Sequence, residues 1–279
     1  FHEGQELSSS YRSLIDNSLW SGSFIIIGII QEVLTSKFIW KMFNHESIGL
    51  MRYMDLIYIL LCKIFIILII YKISIISRLN NFYSEFFFLI CSLICLSLIN
   101  YNNDRLDYDY ILYRELLTLI TIYLFLEIIS RKKGSNFFVI LIGLIGPFSF
   151  LWSLDRAVIL NCILLVIFFY FLLSNNQKKI ILFVSFYTIS FLVLNFLLGR
   201  EFNSFLANSS IIIQEMDEAY GLIHPIPFSE EKESTRATKT LLLILFSILV
   251  SLSLINKTRH PINLRVSFIL LSIISFFSY

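Results

Sequence analysis

LIYILLCKIFIILIIYKISII, residues 56–76, is apolar from end to end apart from Lys63, Lys72 and Ser74. A helix needs about 20 mostly apolar residues to cross a hydrocarbon core about 30 Å thick, because each residue rises 1.5 Å. This stretch meets that length, and its β-branched residues form an unbroken run without the period-two alternation of a membrane barrel strand. A spanning helix follows. Working outward, residues 82–100, 110–130, 137–153, 157–174, 180–199 and 240–255 have the same character, and residues 266–279 begin a further run.

The expected fold is therefore all-α, a polytopic helical membrane protein with about seven to eight transmembrane helices. Composition agrees: of 279 residues, 57% are hydrophobic and only 15% charged, well beyond the balance of a soluble domain. Nothing in it resembles a basic nucleic-acid-binding surface with interleaved aromatics, so nucleic acid is excluded as a partner and a lipid bilayer is expected. Cys62, Cys91, Cys95 and Cys162 all lie in apolar runs without a metal-type C-x-x-C spacing, and are read as small lipid-facing or packing residues. The chain opens on Phe1 and ends at Tyr279 within an apolar run, so it is expected to be part of a longer protein.

The net charge of +2 conceals a strong asymmetry between loops. Arg78, then Arg131, Lys132 and Lys133, then Lys178 and Lys179, then Lys257, Arg259 and Arg265 fall in successive same-side connections that hold no Asp or Glu. The positive-inside rule places these in the cytoplasm. The opposite face gathers residues 1–55, 101–109, the short Leu154-Asp155-Arg156 turn and the long stretch 200–239, with nearly every acidic residue. The cytoplasmic connections are too short for a catalytic domain, so any chemistry belongs on the extracytoplasmic face.

Residues 1–55 are expected to form an extracytoplasmic first segment with an interfacial or re-entrant helix, because Gln31, Glu32 and Lys37 interrupt its apolar run. Residues 56–279 form the helical bundle, interrupted by the loop at 200–239. Pro225 and Pro227 give that loop an extended shape.

Several residues have the chemistry of a site. In His2-Glu3-Gly4-Gln5-Glu6, a carboxylate beside a membrane helix suits a general base or a divalent-cation ligand, and equally suits a solvated surface. Asp155-Arg156, pinched between two spans, suits either phosphate binding or a structural ion pair. Arg52, with Asp55 close by, suits an anionic headgroup or a snorkelling position. Glu85, Arg114 and Glu127 lie near span ends and are expected to snorkel, whereas Lys63 is deep enough to need a partner or cavity.

These residues carry a resemblance. Phe1-His2-Glu3-Gly4-Gln5-Glu6, Gly28 to Val33, Ser47-Ile48-Gly49 with Arg52, Gly146-Pro147 ahead of Ser153-Leu154-Asp155-Arg156, and Tyr220-Gly221 with Pro225 and Pro227 resemble membrane glycosyltransferases of the GT-C superfamily. The nearest likeness is to its dolichyl-phosphate-mannose and arabinosyltransferase-like group. The resemblance implies a polyprenyl-phosphate sugar donor and a glycan, lipid or protein acceptor. It puts Glu3 in the first-loop acidic position, with Glu6 or Glu32 as a second acidic residue. His2, Arg52, Asp155, Arg156, Tyr220 and His224 are the expected substrate-binding residues, and a bacterial inner membrane the expected location. Two other readings remain open. One is a polysaccharide polymerase or ligase centred on the 200–239 loop; the other is a transporter or lipid flippase using Lys63 and Glu115.

Overall fold

A computed structural model describes residues 2–16, 19–21, 25, 28–76, 112–131 and 134–220, with isolated positions at 85, 88–90, 93, 228, 238, 241–242 and 245. Among the described residues the secondary structure is helical throughout. Apart from those isolated positions, the expected spans at 82–100, 240–255 and 266–279 lie outside them, as do His224, Pro225 and Pro227.

The chain begins with α1 (His2–Asp16), a surface helix whose small residues Ser9, Ser10 and Ser13 are buried. A π-helical turn (Ile30–Leu34) then runs directly into α2 (Thr35–Phe43). Asn44, in the left-handed conformation at φ 50°, ends α2, as expected for a residue whose short polar side chain tolerates that region. Among the described residues of the first segment, helix covers 2–16, 29–43 and 48 onward.

α3 (Ile48–Ile76) carries the stretch that opened the sequence reading. It starts at Ile48 rather than Leu56, so Arg52 and Asp55 lie on the helix itself. A short 3₁₀ turn (Leu112–Glu115) leads into α4 (Leu116–Ser130), which is shorter than the expected span at 110–130 because Arg114 and Glu115 occupy the tighter turn. α5 (Asn136–Trp152), α6 (Leu154–Leu173) and α7 (Gln177–Leu198) follow. Only Ser153, extended at φ −160° and ψ 122°, separates α5 from α6. Asp155 and Arg156 therefore stand in the first turn of α6, not in a loop. The 200–239 region likewise opens as a helix, α8 (Glu201–Tyr220).

Among the described residues, three helices are long and apolar enough to cross a membrane: Ile48–Ile73 within α3, Arg156–Leu173 within α6, and α7. α4 and α5 are shorter but equally apolar. Large apolar side chains such as Leu60, Ile64, Leu165, Phe196 and Leu197 are exposed along these helices, a surface that a bilayer would cover and water would not. This suggests a membrane protein.

The main core lies between α4, α5, α6 and α7, around Phe125, Val139, Ile142, Leu164, Ile167, Phe171 and Phe183. Close approach of α5 to α7 depends on two glycines one helical turn apart. A Cβ on Gly143 would stand 3.0 Å from the Phe183 carbonyl oxygen, and one on Gly146 would stand 2.5 Å from the Tyr187 ring. Small residues at this spacing are how apolar helices pack when no hydrophobic driving force separates lipid from protein.

Charged residues gather at the two ends of the bundle. One end holds Arg114, Glu115, Trp152 and Arg156, where Arg156 Nη1 pairs with Glu115 Oε1 at 2.9 Å. The other holds Lys72, Glu127 and Arg131. Here Glu127 Oε1 meets Lys72 Nζ at 2.7 Å and Tyr123 OH at 2.8 Å, and Glu127 Oε2 meets Arg131 Nε at 2.7 Å. Glu127 is 2% exposed, so the snorkelling expected of it is not what occurs. A cation on α3 and two donors on and just after its own helix satisfy it where it stands, which removes any need to reach water.

Candidate functional site

The π-helical turn is lodged between two apolar clusters. On one side Ile29 and Val33 pack with Trp20, Ile25, Leu151, Leu194 and Phe205. On the other, Ile30 packs against the cluster of Cys62, Leu116 and Trp152. This seat exists because Gly28 has no side chain: a Cβ there would lie 2.2 Å from the Trp152 carbonyl oxygen and 2.9 Å from the Ser153 nitrogen. The segment thus abuts the break between α5 and α6, at the end of the bundle where Arg156 pairs with Glu115.

Hydrogen bonds fix the turn from several directions. Thr35 Oγ1 donates to the Ile30 carbonyl at 2.7 Å and lies 3.0 Å from Tyr58 OH on α3. The Tyr58 ring stands edge-on to Trp152 at 5.0 Å between centroids, and Trp152 Nε1 donates to the Arg114 carbonyl at 3.2 Å. From α1, Ser10 Oγ donates to the Glu32 carbonyl oxygen. Lys37 on α2 reaches back to the Ser13 carbonyl at 2.8 Å. Burial, followed by the nearby positive charge of Lys41, holds the Lys37 ammonium below the ordinary lysine range.

α8 closes the arrangement. Asn208, 7% exposed, uses its amide to bracket one residue of the first segment: Oδ1 accepts from the Ile25 nitrogen at 3.2 Å and Nδ2 donates to the Ile25 carbonyl at 2.7 Å. About two turns earlier, Glu201 accepts from the Ser21 nitrogen at 3.0 Å and the Ser21 hydroxyl at 2.5 Å. Neither residue stood out in the sequence, where an Asn and a Glu in a polar region carry no signal of a partner so distant along the chain.

Of the residues singled out from the sequence, Glu32 and Arg156 come to the same end of the bundle. Glu32 is 1% exposed within the π-helical turn. His2, Glu3 and Glu6 lie in the first turns of α1. Arg52 is half-buried on α3, and Asp155 precedes Arg156 in α6. Tyr220 is the last residue of α8, about 18 Å along the axis beyond Asn208 at 1.5 Å per residue.

Buried side-chain atoms that meet no hydrogen-bond partner among the described residues include Gln31 Oε1 and Nε2, Ser36 Oγ and Thr121 Oγ1. No group of three or more His, Cys, Asp or Glu side chains converges as a metal site would require among the described residues. The arrangement places a buried carboxylate, an uncommitted amide and a guanidinium–carboxylate pair at one end of an apolar helical bundle. Such a set can accept a proton from a hydroxyl and balance an anion nearby. The chain matches no family model, no curated protein and no solved structure.

Proposed function

We propose that the chain is an integral membrane glycosyltransferase. It transfers a sugar from a polyprenyl-phosphate-linked donor to a glycan, lipid or protein acceptor on the extracytoplasmic face, with the positive loops in the cytoplasm of a bacterial inner membrane. The observation that carries this reading is the seat of Glu32: a first-segment carboxylate, 1% exposed, in a π-helical turn packed on the end of the bundle that bears the Arg156–Glu115 pair.

The chemistry asks for these groups. A carboxylate, from Glu32 or from Glu3 or Glu6 on α1, takes the proton of the acceptor hydroxyl as its oxygen attacks the anomeric carbon. The bond from that carbon to the phosphate oxygen breaks, its electron pair leaves with the polyprenyl phosphate, and direct displacement inverts the configuration. Arg156, with Arg52 as the second candidate, balances the charge that develops on the departing phosphate. A lipid carrier arrives through the bilayer, which explains a site at the end of apolar helices rather than in a water-filled cleft.

The test measures transfer from radiolabelled polyprenyl-phosphate sugars in membranes containing the protein. Glu32→Gln is expected to lower the rate about 100-fold or more, the usual worth of a general base. Wild-type rates in Glu3→Gln, Glu6→Gln and Glu32→Gln alike would remove the first segment from catalysis.

A further inference from the structure

Gln31 is a buried amide whose polar atoms are unmet among the described residues. It is 8% exposed, and both its oxygen and its nitrogen are buried without a hydrogen-bond partner among the described residues. Ser36, 1% exposed and five residues on, has a hydroxyl in the same condition. Buried polar atoms left this way cost stability, and native structures hold few that are not explained by a bound water or a ligand. The lack is not general to the segment. Thr35, next to Ser36, bonds both the Ile30 carbonyl and Tyr58, and Lys37 bonds Ser13.

The backbone adds a second observation. Gln31 lies within the π-helical turn, an irregularity that is rare and concentrated at functional sites, and Glu32 is its immediate neighbour. A regular α-helix through Ile30–Leu34 would place these side chains differently around the axis, so the wide turn itself decides where the amide lies.

The donor and acceptor inventory selects the ligand. The amide offers two hydrogens and an acceptor oxygen, and the serine hydroxyl both gives and takes. A phosphate accepts only, which would leave Gln31 Oε1 unmet; a metal cation would leave Nε2 unmet; a hydrocarbon chain satisfies neither. A sugar hydroxyl both donates and accepts. We propose that Gln31 and Ser36 form a hydroxyl-recognising subsite that binds the ring of the transferred sugar. The proposal rests on the glycosyltransferase reading and adds to it which residues read the sugar rather than its phosphate.

The experiment uses the full chain in nanodiscs, as wild type, Gln31→Leu and Ser36→Ala. Each is scanned for thermal unfolding with bare undecaprenyl phosphate and with undecaprenyl phosphate carrying glucose, mannose or N-acetylglucosamine, and assayed for transfer. In wild type at least one sugar-bearing lipid is expected to raise Tm beyond the bare lipid. In Gln31→Leu that excess disappears, the shift from bare lipid remains, and the unliganded Tm stays level or rises by about 2 °C as an unmet amide is removed. KM for the sugar-bearing lipid is expected to rise at least tenfold in Gln31→Leu and severalfold in Ser36→Ala.

An unchanged sugar-dependent shift and unchanged KM in both variants would overturn the subsite and assign these atoms to an ordered water, leaving the glycosyltransferase reading standing. A sugar-dependent shift lost in Gln31→Leu, in a wild-type protein that transfers nothing, would support the subsite and sink the transferase reading. Should Gln31→Leu fail to fold, Ser36→Ala and Gln31→Asn decide by the same shift.

Discussion

Glu127 is a carboxylate inside an apolar helix, and the three groups that hold it stand at the far end of the bundle from the candidate site. Its position in the sequence, four residues before Arg131, is visible as a helical i, i+4 pair, but Lys72 lies on another helix and no local pattern announces it. That is why snorkelling looked adequate from sequence and proves unnecessary in the fold. Removing the carboxylate leaves a cation facing an apolar helix. Breaking a fully buried pair costs about 3–5 kcal/mol, and because Lys72 and Arg131 keep some access to water, Glu127→Leu is expected to cost about 2 kcal/mol. Chemical unfolding in bicelles measures this. The double variant Lys72→Met, Glu127→Leu is expected to recover at least half of the loss, since the stranded charge goes with it. The Arg156–Glu115 pair is more open, with side chains 19% and 26% exposed, so it is worth less to stability, about 1 kcal/mol in a double-mutant cycle. A much larger coupling there would mean the pair serves mainly to hold α4 against α6, and would weaken its role beside a departing phosphate.

Among the elements, the π-helical turn explains most about how the site is assembled. The sequence shows a polar interruption at Gln31, Glu32 and Lys37 within an apolar run, and that suffices to expect an interfacial or re-entrant helix rather than a spanning one. What the run does not display is the extra residue in the turn, the bracket that Asn208 places on Ile25, or the continuation of the 200–239 region as helix α8, because each depends on contacts between segments far apart in the chain. Gly28, which the sequence offers only as part of the resemblance, meets the α5–α6 break. With a Cβ placed 2.2 Å from a main-chain oxygen, neither partner can yield by turning a side chain. Gly28→Ala is expected to cost about 3 kcal/mol and to loosen the turn toward protease, read by thermal unfolding and by limited proteolysis between α1 and α2. Gly49→Ala, whose nearest neighbour would be Ser47 Oγ at 3.4 Å, should be neutral or stabilise α3 by up to about 1 kcal/mol. Equal losses in the two variants would mean that the close approach at Trp152 is not what seats the segment.

For the molecule as a whole, contacts between distant residues set two groups of charge apart along the bundle. Arg156 and Glu115 pair beside the first segment at one end, and Lys72, Glu127 and Arg131 meet at the other. Apolar length made α3, α6 and α7 legible as candidate spans, while the boundaries shifted because Ser153 alone is enough to separate two helices. If the bundle crosses a bilayer with its basic loops inside, single cysteines should divide by side. On a background with the four native cysteines replaced by serine or alanine, Asn44→Cys after α2 and Asn203→Cys at the start of α8 are expected to react with a membrane-impermeant maleimide in intact bacterial cells. Asn175→Cys, in the turn between α6 and α7, is expected to react only after permeabilisation. Asn44 and Asn175 both stand at φ 50°, a conformation in which asparagine is at ease and cysteine is strained, so His45→Cys and Ser174→Cys beside them serve as second reporters. Reaction at 175 and 174 in intact cells, with protection at 44, 45 and 203, would invert the protein in the membrane. The end bearing Glu32 and Arg156 would then face the cytoplasm, and a soluble nucleotide sugar would replace the polyprenyl-linked one as the donor to test first.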